Sequence, residues 1–82
     1  MIHIQGFIPV KRYAVSLYTY QFCAPGELAH NIKRGPVSCI TSEGALRGVM
    51  RQAGVQFAHF AKVTDLETKV CYLLNNIRLE AH

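Results

Sequence analysis

The sequence predicts an α+β domain: a mostly antiparallel sheet with two short helices packed on one face, in the order β-β-α-β-α-β-β. Three observations lead there. Several stretches alternate apolar and polar residues with a period of two. Two others carry helix start and stop signals. No linker, repeat or low-complexity tract interrupts the 82 residues, so residues 1–82 read as a single domain. A chain of this length buries roughly 60–65% of its unfolded surface, enough for a modest core. Half its residues are hydrophobic and 17% are charged, which is too apolar for disorder.

The first element is a strand over residues 2–10, where Ile2, Ile4, Ile8 and Val10 share a face, with Pro9 near its end. Lys11-Arg12 turns into a second strand over residues 13–22. Tyr13, Val15, Leu17 and Thr19 point one way there, and Tyr18, Tyr20 and Phe22 the other. In "APGELAHNIKRGP" the punctuation fits a short helix. Pro25 sits in its first turn, Glu27 complements the positive start, Lys33-Arg34 the negative end, and Gly35-Pro36 stops it. "PVSCIT" is a short buried strand. "TSEGALRGVMRQAG" carries the clearest helix, over residues 42–53, with Thr41 or Ser42 as cap and Gly54 just past the end. Its apolar stripe is Ala45, Leu46, Val49, Met50 and Ala53. "VQFAHFAKV" is a strand with Val55, Phe57, His59, Ala61 and Val63 on one face. "VCYLLNNIRLE" is apolar on both faces over residues 70–74, so it reads as central or covered on both sides, with Asn75-Asn76 as a bulge.

No segment reaches the ~20 apolar residues of a membrane span. The N-terminus lacks the basic and apolar regions of a signal peptide, so a cytoplasmic protein is expected with no membrane partner. Cys23, Cys39 and Cys71 are odd in number and widely spaced, which favours free thiols over a disulfide framework. The net charge of +4 favours acidic partners, but the basic residues are dispersed.

Catalytic and metal chemistry find little support. No C-x₂-C or H-x₃-H spacing occurs among the three cysteines and four histidines, so neither metal nor cofactor is expected. The five acidic residues fall at helix starts, connectors or the terminus, where carboxylates are ordinarily solvated. A Cys71–His59 pair would lack a group to orient it. There is no phosphate-binding glycine loop. "KRYAVSLY" matches part of the RNP1 pattern of RNA-recognition domains at Lys11, Tyr13, Ala14 and Tyr18. Arg12 stands where that pattern needs glycine and Val15 where it needs an aromatic, which excludes that family.

What remains is a non-enzymatic binding module. The leading expectation is a protein-binding inhibitor or adaptor that docks on a larger protein with an acidic face. Small phage and mobile-element accessory proteins resemble it in size and lack of chemistry alone. The alternative is a basic nucleic-acid-binding domain, and a homodimer is compatible with either. The expected partner-binding residues are Arg47 and Arg51, one helical turn apart, then Lys33, Arg34, Tyr18 and Tyr20. Gly44 and Gly48 in the same helix each cost on the order of 1 kcal/mol against Ala, so close packing is one reason for their presence.

Overall fold

Strict alternation builds the centre of the sheet. In strand β1 (Lys11–Thr19), Tyr13, Val15, Leu17 and Thr19 are buried, while Ala14, Ser16 and Tyr18 between them are half-exposed. The computed structural model describes residues 9–21 and 23–79. The other elements are β2 (His30–Cys39), α1 (Ser42–Ala53), β3 (Phe57–Asp65) and β4 (Cys71–Arg78). The four strands form one antiparallel sheet in the order β2-β1-β3-β4. Leu17 lies across from Ile32 on one side and Ala61 on the other, and Val15 across from Val63.

The helix supplies the second layer. Thr41 Oγ1 accepts a hydrogen bond from the Gly44 amide at 3.0 Å, which satisfies one of the free donors of the first turn. Gly54 adopts φ 72° and donates to the Met50 and Arg51 carbonyls, so the helix ends where a side chain would be strained. Ala45, Leu46, Val49 and Met50 are buried against Val15, Leu17, Ala61 and Val63 of the sheet. The helix packs over β2, β1 and β3, and β4 extends beyond it.

The expected order with two helices is overturned: among the described residues there is one helix, and the order is β1-β2-α1-β3-β4. The segment read as the first helix is a turn followed by β2. Pro25-Gly26 are the central residues of a β-turn in which Gly26 takes φ 90° and the Glu27 amide donates to the Ala24 carbonyl at 3.0 Å. Glu27 completes that turn by accepting from the Ala24 amide at 2.7 Å, so its carboxylate serves a turn instead of a helix start. A helix there would have aligned Leu28 with Ile32. Instead Ile32 enters the core opposite Leu17, while Leu28 stays 89% exposed. Long-range pairing therefore outweighs the local signals of a segment too short to be helical alone.

Residues 36–39 of "PVSCIT" are the end of the same strand, not a separate one, and Thr41 caps α1. Lys11-Arg12 belong to β1 and make no turn. The expected strand over residues 2–10 lies largely outside the described residues, and Pro9 and Val10 precede β1 without strand structure. The last strand, read as central or covered on both sides, is an edge of the sheet among the described residues.

The β3–β4 connection is organised by Asp65. Its carboxylate accepts from the Glu67 amide at 2.9 Å and the Thr68 amide at 3.2 Å, and Lys11 Nζ lies 3.7 Å away. The Glu67 amide is the main cause that holds this carboxyl below its ordinary pKa; burial opposes it, and Thr68 and Lys11 assist. Tyr13, paired across from Asp65, has its phenol pushed up by burial first and by the Asp65 charge second.

Candidate functional site

The face of the sheet opposite α1 has no second layer among the described residues, and a one-residue slip decides what it carries. Along β3 the buried residues are Ala58, Ala61, Val63 and Asp65. The step of three from Ala58 to Ala61 breaks the period of two, so His59 and Phe60 both turn to the open face. Strand β4 accommodates the slip at the same level. Asn76, opposite His59, adopts φ 54°, while Ile77 lies across from Ala58 and Leu74 across from Ala61 on the helix side.

The result is a belt of rings across one end of the open face. Tyr18 and Phe60, cross-strand partners, have ring centroids 5.5 Å apart. Tyr20 meets His59 edge to face at 4.7 Å, and His59 meets Phe57 in the same way at 4.8 Å. The Arg78 guanidinium stands 5.3 Å over the Phe57 ring, a cation–π contact that fixes the end of the belt. Two residues along, Ser16 pairs with Lys33 of β2 on one side and Lys62 of β3 on the other. This places two exposed ammonium groups in one row beside the rings. Asn31 and Asn75 extend the Tyr18–Phe60 row to the two edge strands.

Of the six expected site residues, Tyr18, Tyr20 and Lys33 fall on this face. Arg34 pairs with buried Val15, so it is turned to the helix side, and its Nη1 donates to the Lys33 carbonyl at 2.9 Å. Arg47 and Arg51 lie on the helix, across the sheet from the rings. Arg47 Nε donates to Glu43 Oε2 at 3.1 Å, so its charge is largely compensated within the helix; Arg51 is exposed. The six therefore form two surfaces. Phe57, His59, Phe60, Lys62 and Arg78 complete the first and were missed, because strict alternation sends His59 and Phe57 to the apolar face. The pair of alanines three apart within "FAHFA", beside the Asn75-Asn76 bulge, was the available signal.

Rings in this arrangement can stack flat groups, and the lysine row can receive phosphate oxygens. The described residues offer less for other chemistry. Glu27, Glu43 and Asp65 are engaged in a turn, an ion pair and a loop respectively. Cys23, Cys39 and Cys71 are free thiols, and Cys71 pairs with Thr64 at the opposite end of β3 from His59. Among the described residues no three His, Cys, Asp or Glu side chains gather as metal ligands would, and no helix is long and apolar enough to cross a membrane.

Among the described residues the fold and site define a two-layer α+β domain, with one helix over β2, β1 and β3 on one sheet face and rings and lysines on the other. Comparison of the chain with protein-family models, curated proteins and solved structures finds no match.

Proposed function

We propose that this protein is a non-enzymatic nucleic-acid-binding domain that takes a single strand on the open face of its sheet. The observation that carries this reading is the junction of the ring belt with the Lys33–Ser16–Lys62 row. Unpaired bases stack on aromatic faces while the backbone follows positive charge, and the two functions adjoin here on a rigid sheet. The net charge of +4 has the right sign. Free thiols suit a reducing compartment, so the cytoplasm is the proposed location.

Fluorescence anisotropy with single-stranded DNA and RNA oligonucleotides tests this. Tyr18→Ala or Phe60→Ala should each weaken binding by about 1–3 kcal/mol, roughly 5- to 150-fold. Changing Lys33 and Lys62 together to Glu should lower the salt slope by about 1.4, for two lost phosphate contacts on a single strand. An affinity that both sets of variants leave at the parent value would refute the reading, as would a parent that binds neither oligonucleotide at about 50 mM salt, where such contacts are strongest.

A second reading, the protein-binding inhibitor or adaptor, draws on a different surface. A groove of about 340 Å³ opens between α1 and β4, with Arg47 on its rim and Leu46, Tyr72, Leu74 and Ile77 in its walls. It is the reading to adopt if a stoichiometric protein partner survives nuclease treatment and is lost when Arg47 and Arg51 are both changed to Glu.

A further inference from the structure

The two edges of the sheet are finished differently. Strand β2 carries the features that keep a sheet edge from pairing: Lys33 and Arg34, a proline at position 36, and a register break opposite Tyr13 and Val15. Strand β4 carries neither charge nor proline before its final residue, and its irregularity at Asn76 is matched by His59 of β3. Cys71, Tyr72, Leu73 and Leu74 are uncharged, and Arg78 is its only charge. Tyr72 and Leu74 face the helix side at 43% and 38% exposure, while Leu73 faces the ring side at 63%. A strand apolar on both faces has the composition of an interior strand, yet among the described residues only β3 pairs with it.

We infer that β4 is the interface for a second copy of this chain, paired antiparallel with its own β4 across a two-fold axis. Three arguments select that occupant. An antiparallel pair of identical strands is self-complementary: with the axis at Leu73, that side chain meets its own copy on the ring side, and Tyr72 of each copy meets Leu74 of the other on the helix side. Each copy carries +4, and β4 is a stretch of surface along which two copies approach with little charge between them. The two Arg78 residues would lie at opposite ends of the paired strands, roughly 34 Å apart at 3.4 Å per residue.

The axis runs perpendicular to the sheet, so both helices share one face. Tyr72 and Leu74 of each copy then cover those of the other on the floor of the groove beside Leu46. The protected β2 edges become the outer edges, and association stops at two chains. The ring belts of both copies share the other face, which ties the dimer to nucleic-acid binding without requiring it.

Sedimentation equilibrium from roughly 1 to 100 µM reports any Kd in the micromolar range or below. The parent should run at twice the 9.2 kDa chain mass. Leu73→Lys and, on the other face, Tyr72→Lys should each run as monomers: the first sets two ammonium groups opposite each other, and the second sets one against Leu74 of the second copy. Leu28→Lys, still more exposed but beside the opposite edge strand β2, should remain dimeric. A parent monomeric throughout overturns the inference and leaves the groove to a foreign protein; so does a dimer that Leu73→Lys and Tyr72→Lys leave intact. The Lys33→Glu, Lys62→Glu variant should sediment as the parent does, so loss of nucleic-acid binding and loss of the dimer are read separately.

Discussion

Two glycines four residues apart in α1 should respond to the same substitution with opposite signs. A Cβ built on Gly48 meets nothing within 4 Å, so Gly48→Ala acts only through backbone entropy and helix propensity. That difference favours Ala by about 0.4–1 kcal/mol. For a domain of this size it raises Tm by roughly 2–8 °C. A Cβ built on Gly44 would lie 2.6 Å from Cys39 Sγ and 3.2 Å from the capping Thr41 Oγ1. Ordinary contact needs roughly 1 Å more at the sulfur, and Cys39 can yield only by turning about χ1 within β2 or by displacing the helix start. Overpacking of this kind costs about 1–3 kcal/mol, which exceeds the propensity gain, so Gly44→Ala should lower stability by about 0–2 kcal/mol. Removing the obstructing atom should reverse the sign: in a Cys39→Ala background, Gly44→Ala should stabilise. Urea denaturation of the four variants measures each step and their non-additivity. A destabilising Gly48→Ala, or a Gly44→Ala cost unaffected by Cys39→Ala, would refute this account of the packing of α1 on β2.

Met50→Ala or Leu46→Ala, each at a fully or almost fully buried position beneath the helix, should cost about 2–5 kcal/mol in the same denaturation assay. The depressed Asp65 carboxyl adds stability that is fully present above its unfolded pKa of about 3.9. That contribution should be lost as the pH falls through its lower folded value. Asp65→Asn should therefore flatten the acid limb of a Tm-against-pH profile, and an unchanged limb would show that Asp65 does not govern it.

Local chemistry made α1 legible in the sequence, because its cap, its apolar stripe and its terminal glycine all act within a dozen residues and agree. β1 was equally plain, since a central strand with one sealed face alternates without exception. What misled was a segment whose local and long-range preferences conflict. Pro25, Glu27 and Lys33-Arg34 satisfy helix rules by position, yet Ile32 is worth more against Leu17 than alongside Leu28, and no local pattern expresses that. The site was half legible for a related reason. Tyr18, Tyr20 and Lys33 follow simple alternation, which places them on the open face. Phe57, His59 and Phe60 depend on a slip that strict alternation cannot represent. Arg47 and Arg51 were read correctly as helix neighbours, but spacing alone could not disclose that Glu43 already engages one of them.

The slip belongs to two strands jointly. His59 and Asn76 face one another, and on either side of them the β3–β4 register is the same. Removing His59 alone would turn half of β3 inside out against an unchanged neighbour; removing Asn76 alone would do the same to β4. Length variation at this level is therefore restricted to compensated pairs, whereas the β1–β2 connection can gain or lose residues one at a time. Over evolutionary drift the ring belt should be the most conservative part of the sheet in length even where its individual rings are exchanged.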